Sequence, residues 1–429
     1  MCNRIQEMLK KIILQQKEER DMLLKRNYQK RISMQEKADF LTSGLIKLIT
    51  GPRRAGKSVF ALQMLSDKNF AYLNFDDELL LKNFDENLLL QYLLEIYPDF
   101  SYLMLDEIQN LTGWDVWVGK LYRRGINMVI TGSNANLLSN EMASVLTGRY
   151  LKINIFPFSF KEIVEFKNIN KAVDTPSEKA AFLNDVTDFL LYGGFPETIL
   201  SRNIVRNYLS SLFDSILLKD ITKRYNVRNT SELYNLAGYL LTNFGNPFSI
   251  NNLADELDLG SVNTAKKFCK YLEETYLFFY LPRYNSKLKL MQKAPTKAYV
   301  VDNGFISARA FELSRNLGRL LENLVFIELI RRGYSVPNTL FYYHTRNGKE
   351  IDFVCREIHQ VTQLIQVSYD VSNQKTLNRE IMALTGAADE LRCQNLLLIT
   401  WDEEKQIEES NYKINLKPFW KWLLEDTDF

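Results

Sequence analysis

The run Gly51-Pro52-Arg53-Arg54-Ala55-Gly56-Lys57-Ser58 has the spacing G-x-x-x-x-G-K-[ST]. Each part has its own chemical reason. Small residues let successive backbone N–H groups curl around the β- and γ-phosphates of a nucleotide. A helix starting at the end of the run adds partial positive charge. Lys57 neutralises phosphate oxygens, and the Ser58 hydroxyl suits a Mg2+ ion. The predicted cradle runs from Gly51 to Val59. About 50 residues on, the apolar run Tyr102-Leu-Met-Leu ends in Asp106 and Glu107. Side chains alternate along a strand, so these two carboxylates point in different directions. Asp106 is placed to hold Mg2+ through water, and Glu107 to orient or deprotonate an attacking water. A third apolar run, Met128-Val-Ile-Thr131-Gly, ends in Ser133 and Asn134. One of these two could sense the γ-phosphate; the sequence does not choose between them. Either could instead be a helix N-cap.

These residues need elements that bring them to one edge. From Ile46 onward short apolar runs alternate with helical patterns: LIKLIT then FALQML, FAYLNF then ELLLKNF, SYLMLDEI then VWVGKLYRR, INMVITGS then NLLSNEMASVL, and finally YLKINIF. Strand–helix alternation of this kind predicts a parallel sheet with helices on both faces. Before it, Ile5, Met8, Leu9, Ile12 and Ile13 recur at helical spacing, and residues from about 3 to 36 read as a long helix, continuous or interrupted. Residues 1–40 hold ten Lys/Arg and six Asp/Glu. The plain reading is an arm packed on its own domain or on a neighbouring subunit. A membrane-surface helix would share part of the pattern.

Composition removes other chemistries. The chain has 429 residues, 54 basic and 52 acidic, for a net charge of +2. A protein coated all over in basic residues is therefore excluded. Only His344 and His359 are histidines, and Cys2, Cys269, Cys355 and Cys393 are scattered. No local zinc site can be assembled from them, and a disulfide framework is not expected. Cys269 reads as a core filler and His344 as part of a solvated hairpin. The charged N-terminus does not resemble a signal peptide, and no apolar run is long enough to cross a membrane, so the expected location is cytoplasmic.

GPRRAGKS, LMLDEIQ with Trp114 shortly after, ITGSNANLL, LTGRY, FPFSFKE and YGGFPE stand in the order seen in prokaryotic AAA-type ATPases of the archaeal-ATPase/STAND-like branch. The chain resembles that family over roughly residues 40–400. The resemblance implies ATP and Mg2+ as ligands and a C-terminal domain of uncharacterised function. It implies that Arg149, in LTGRY, is an arginine finger reaching a neighbour's γ-phosphate, which makes a homo-oligomer the expected state. Such fingers contribute about 10³–10⁵ in rate. It also implies that Pro196, in Gly193-Gly194-Phe195-Pro196, contacts the adenine. The plain alternatives are a surface arginine and a helix-linking turn.

Two further regions carry signals. Residues 249–281 read as helix–turn–helix, with Lys266, Lys267 and Lys270 on the second helix. The stretch 282–297 follows with Arg283, Lys287, Lys289, Lys293 and Lys297 and no acidic residue, and suggests a hairpin. A winged helix with a basic wing suits phosphate contacts on DNA, although such modules also bind proteins. In the last part, Glu322, Asp352, Gln366 and Ser368 resemble the motif of a restriction-endonuclease-like core. Gln366 stands where that motif has Glu, and Ser368 where it has Lys. Metal-dependent cleavage needs those carboxylates and that cation, so an inactive fold is expected.

The expected fold class is α/β: a P-loop NTPase parallel sheet with a helical lid, a winged helix and a C-terminal α/β nuclease-like domain. The expected divisions are an N-terminal arm (1–40), an ATPase core (41–160), a lid (161–245), a winged helix (246–310) and the nuclease-like domain (311–429). The expected function is an ATP-hydrolysing switch or motor acting on DNA or a protein. The alternatives are a nucleotide-dependent scaffold with little turnover and an ATP-gated nuclease.

Overall fold

The computed structural model describes residues 2–32, 34, 38–134, 146–309, 317–358 and 360–425. The helix expected over 136–146 falls, except for Leu146, outside the described residues, as does His359. The chain divides into two units: Met1–Phe156 with Glu274–Tyr276, and Pro157–Glu273 with Leu277–Phe429.

The first unit begins with α1 (Cys2–Leu24) and continues through β1 (Ile46–Thr50), α2 (Lys57–Met64), β2 (Phe70–Asn74), α3 (Glu78–Lys82), α4 (Glu86–Ile96), β3 (Tyr102–Asp106), α5 (Trp114–Arg123), β4 (Met128–Gly132) and β5 (Tyr150–Asn154). The five strands form one parallel sheet in the order β2-β3-β4-β1-β5. Alternate strand residues feed two cores. Ile46, Leu48, Ala71, Leu73, Leu103, Leu105, Met128 and Ile130 pack with α1, α4 and α5. Ile49, Tyr72, Met104, Val129 and Ile153 pack with α2. Strands covered on both faces read as continuous apolar runs, which is why β1 to β4 were visible in sequence; β5, an outer strand, is covered less.

The N-terminal arm is part of this unit: Leu9, Ile12 and Ile13 are buried in the first core. Its first helix ends at Leu24, so of the two forms expected the helical span is the interrupted one. Tertiary hydrogen bonds take over there. The Gln63 side-chain amide donates to the carbonyls of Tyr28 and Gln29, each at 3.2 Å, and holds that backbone out of a helix. Further back, the amide of Gln16 pairs with Asn74, donating to its carbonyl at 3.1 Å and accepting its N–H at 2.9 Å. One helical turn later, Arg20 donates to the carbonyl of Phe70.

The second unit opens with helices α6 (Phe160–Phe166), α7 (Pro176–Tyr192), α8 (Pro196–Leu200) and α9 (Val205–Ser215), the last running into a π-helical stretch, Ile216–Lys223. The Ser-Phe-Lys-Glu of FPFSFKE is a capping box, with Ser159 and Glu162 each bonding the other's backbone N–H. Then come α10 (Thr230–Thr242), β6 (Pro247–Phe248), α11 (Ile250–Glu256), α12 (Val262–Glu274), β7 (Phe278–Pro282), α13 (Leu288–Lys293) and β8 (Thr296–Val300). β7 and β8 pair as an antiparallel hairpin with β6 on the outer side of β8. The expected hairpin is thus present, and the basic stretch joining its strands contains a short helix.

After α14 (Asn303–Arg309) and α15 (Leu317–Arg331) come β9 (Leu340–His344), β10 (Glu350–Glu357), β11 (Gln360–Ser368), α16 (Gln374–Leu391), β12 (Leu396–Thr400), β13 (Lys405–Glu409), β14 (Tyr412–Pro418) and α17 (Phe419–Leu424). The strands make a mixed six-stranded sheet in the order β13-β14-β12-β11-β10-β9.

The YGGFPE turn is fixed by Asp302. Its carboxylate accepts the N–H groups of Gly194 at 2.7 Å and Gly304 at 2.8 Å. Gly194 also accepts the Phe158 N–H through its carbonyl at 2.7 Å, and a Cβ on Gly194 would lie 2.0 Å from the Phe158 oxygen. The glycine there is a steric requirement.

Candidate nucleotide site

The glycine-rich run joins the C-terminal end of β1 to the N-terminus of α2. Gly51, with φ 146°, lies against the next strand's exit, where a Cβ would sit 1.9 Å from the Ile155 oxygen. Arg54 and Gly56 also have positive φ, 66° and 94°. The first bond inside α2 runs from the Phe60 N–H to the Gly56 oxygen. The N–H groups of Lys57, Ser58 and Val59 therefore have no acceptor within the helix, the arrangement that favours an anion.

The charged groups converge at this end. Ser58 Oγ donates to Asp106 Oδ1 at 2.8 Å. Lys57 is buried, donates to the Pro52 oxygen at 3.0 Å, and has Glu107 Oε1 at 3.8 Å. β4 lies between the phosphate strand β1 and the carboxylate strand β3, and its Thr131 fills the gap. The Thr131 hydroxyl donates to Asp106 Oδ1 and accepts the Glu107 N–H at 3.1 Å. Tyr72, on β2, reaches Asp106 Oδ2 from the other side at 3.5 Å. Burial pushes the Asp106 carboxyl up to about 6, and the Glu107 charge pushes the same way. The Thr131 and Ser58 hydroxyls and the Lys57 ammonium oppose them.

Glu107 has φ 50°, a left-handed backbone that turns its side chain off the strand line. Gln109 then ties it down: its amide nitrogen donates to Glu107 Oε2 and lies 3.3 Å from Ser133 Oγ. Ser133 is buried and is thereby linked to Glu107, whereas Asn134 is half-buried one residue further along. Thr131, Gln109 and Tyr72 are the residues that motif reading missed. Thr131 carried a signal, a hydroxyl interrupting an apolar strand. Gln109 and Tyr72 carried none.

The donor set fits a magnesium nucleotide. A hydroxyl and a carboxylate stand 2.8 Å apart, beside a buried ammonium and a helix N-terminus. Hard oxygen donors of this kind suit Mg2+.

Arg149 lies elsewhere in this unit. It directly precedes β5, and its carbonyl accepts the Ile46 N–H at 2.9 Å, at the start of β1. The phosphate run leaves the other end of β1, so the two are separated by about one strand length, roughly 15 Å. Its guanidinium lies 5.7 Å from the Tyr122 ring centre. Arg149 is thus not brought to its own chain's phosphate run.

Pro196 belongs to the second unit, half-buried at the first position of α8. Lys266, Lys267 and Lys270 are exposed on α12, whose other face buries Ala265, Phe268, Cys269 and Leu272. Lys287, Lys289 and Lys293 are exposed on and beside α13, and Arg283 is half-buried, donating to the His344 carbonyl at 3.3 Å. Lys297 corrects the sequence reading. It is not a wing cation, because it is only 1% exposed and lies among Glu322, Glu350 and Asp352.

Glu322 stands on α15, Asp352 on β10, and Gln366 and Ser368 on β11. Gln366 is not turned to a ligand. Its oxygen accepts the Asp352 N–H at 3.2 Å and its nitrogen donates to Glu380 at 2.8 Å.

Comparison with known proteins gives the family. Residues 43–164 match the family model described as "AAA domain", so this part is an AAA-type, P-loop ATPase-like domain. Residues 183–315 and 317–419 match two domains of unknown function, DUF8612 and DUF4143. The chain is 37% identical over 397 residues, 88% of each chain, to the uncharacterized protein MJ1544 of Methanocaldococcus jannaschii, and it belongs to the same family. It is 35% identical over 368 residues to an uncharacterized protein of Haemophilus influenzae, covering 82% of this chain and 88% of that one. Among solved structures it is similar to the Walker-type ATPase PABY2304 of Pyrococcus abyssi, with a TM-score of 0.44 and 14% identity over 66% of this chain and 95% of that one. Among the described residues no helix is long and apolar enough to cross a membrane.

Proposed function

We propose that this protein binds Mg·ATP at Gly51–Val59 and hydrolyses it, using the cycle to drive a switch or motor action on DNA or a protein partner. The observation that carries this reading is the convergence of Lys57, Ser58, Asp106 and Glu107 at one sheet edge, cross-linked through Thr131 and Gln109. In this reading the Gly51–Val59 backbone and Lys57 hold the phosphates. Ser58 and Asp106 hold Mg2+, which neutralises developing phosphate charge. Glu107 orients the attacking water, and Ser133 or Asn134 reads the γ-phosphate. Arg149, distant from its own phosphate run, would serve a neighbouring subunit, and Pro196 would touch the adenine.

Residues 161–245 would form the lid and 246–310 a winged helix. The order α10-β6-α11-α12-β7-β8 supports the latter. Its exposed Lys266, Lys267, Lys270, Lys287 and Lys289, with Arg283, would meet DNA phosphates. Residues 311–429 would be an inactive nuclease-like domain.

The test is ATP turnover without DNA, with single-stranded DNA and with double-stranded DNA. Lys57→Ala is expected to lose nucleotide binding, and Glu107→Gln to bind ATP while losing at least about 100-fold in turnover. Unchanged turnover in both variants would overturn the reading. Wild-type protein that binds ATP without hydrolysing it would leave the scaffold alternative.

A further inference from the structure

The second unit buries a lysine among three carboxylates. Lys297 Nζ lies 2.9 Å from Glu322 Oε1, 2.7 Å from Glu350 Oε1 and 3.7 Å from Asp352 Oδ1. The carboxylates have further partners, at the second oxygen of Glu350 and Asp352 and at the same oxygen of Glu322. Tyr299 donates to Glu322 Oε1 at 2.5 Å, His344 Nε2 lies 2.8 Å from Glu350 Oε2, and the Val367 N–H donates to Asp352 Oδ2 at 2.9 Å. Lys297 comes from β8, Glu322 from α15, and Glu350 and Asp352 from β10. The nuclease-like motif joins Glu322 to Asp352, but no spacing brings Lys297 to them.

Glu322 and Asp352 are the residues that, in the nuclease-like reading, would coordinate a divalent metal. The distances do not fit that role. Among the described residues no group of three or more His, Cys, Asp or Glu side chains is spaced to hold a metal ion. The position central to the carboxylates is filled by an ammonium. Gln366, at the third ligand position of the motif, is engaged with Asp352 and Glu380 instead. A buried ammonium is costly without partners, and buried carboxylates are equally costly without a cation, so each side supplies what the other needs.

We propose that the Lys297 ammonium is the resident cation of this cluster, occupying the place of a divalent metal and fastening β8 to α15 and β10 without one. Burial, and then the Glu322 charge, hold the Asp352 carboxyl well above the usual carboxylate range, with Lys297 acting the other way. That reduces the surplus of negative charge left by one ammonium among three acids. The cluster also anchors the far end of the basic segment 283–297. The near end is held to β9 by the Tyr284 N–H on the Tyr342 carbonyl at 2.7 Å, and the Tyr342 hydroxyl donates to the Pro295 carbonyl at 2.6 Å.

The test is Mn2+ binding to the full-length, nucleotide-free protein, followed by electron paramagnetic resonance. Wild type and Asp352→Asn are expected to bind the same number of Mn2+ ions, since any ion at Ser58 and Asp106 is common to both. Lys297→Met is expected to gain one site and to lose it again in Lys297→Met/Asp352→Asn. A wild-type site that disappears in Asp352→Asn would overturn the proposal. So would a folded Lys297→Met protein that gains no Mn2+. Should Lys297→Met fail to fold, wild type against Asp352→Asn decides alone, equality supporting the resident lysine and a lost site refuting it.

Discussion

Asp106 sits under opposing influences, and the balance sets a pH window. Its carboxyl is pushed up to about 6, by burial first and by Glu107 second. In the proposed role Mg2+ would need the anion, so a proton would compete with the metal below that value and not above it. Mg2+-dependent nucleotide affinity is expected to be flat above about pH 7 and to fall as pH drops through 6, by up to tenfold per unit below it. Titration of a fluorescent ATP analogue with Mg2+ between pH 5 and pH 8 checks this. Asp106→Asn separates the protein from the nucleotide's own titration, because the variant should bind weakly at every pH. An equal fall in wild type and variant would assign the effect to ATP. The carboxylate itself was plain in the sequence, as was the phosphate run. Thr131 and Gln109 were not, since their roles come from β4 lying between β1 and β3 and from the left-handed turn at Glu107, neither of which a spacing encodes.

At the scale of elements, β1 to β4 were legible as nearly continuous apolar runs, and β5 by its place after the last helical pattern. The end of α1 at Leu24 was not, and the segment just beyond it is held from far along the chain, by Gln63 on the carbonyls of Tyr28 and Gln29. Lys297 misled for a related reason. A lysine in a run of lysines reads as solvated, and its partners lie 25 to 55 residues away in sequence. The YGGFPE turn makes an element-level prediction. Gly194→Ala would press a methyl onto the Phe158 oxygen and disturb the Asp302 bonds to Gly194 and Gly304. The expected cost is about 2–4 kcal/mol, in line with overpacking plus a broken buried polar contact. A lowered midpoint in urea measures it. Glu197→Ala, which leaves the backbone of the turn alone, is the control expected to move it much less.

For the whole molecule, the place of Arg149 matters most. It precedes β5 at the end of the sheet away from its own phosphate run, so any contact it makes with a γ-phosphate must be with a second chain. Arg149→Ala and Lys57→Ala proteins should each be inactive alone and regain part of the ATPase rate when mixed. A mixed interface then pairs an intact Lys57 from one chain with an intact Arg149 from the other. No recovery at any ratio, with sedimentation showing one chain per particle in every nucleotide state, would remove Arg149 from the catalytic assignment. The proposed contact with DNA belongs to the same scale. Reversing Lys266, Lys267 and Lys270 to Glu should weaken it and flatten its salt dependence by about three charges.

The pairing of α1 with β2 has a consequence for solubility. β2 is an outer strand of the sheet, and its outward backbone groups would otherwise be open to another chain's strand. Gln16 satisfies both groups of Asn74, and Arg20, one helical turn away, satisfies the carbonyl of Phe70. Two side chains of a helix thus take the hydrogen-bonding positions a neighbouring strand would use. Removing residues 1–24 would uncover more than Leu9, Ile12 and Ile13. It would leave a pairing template at the rim of the sheet, and the shortened protein is expected to form β-rich aggregates, detectable by light scattering and thioflavin fluorescence. On that outcome the arm would be a guard against self-polymerisation, built into the fold before any nucleotide is bound.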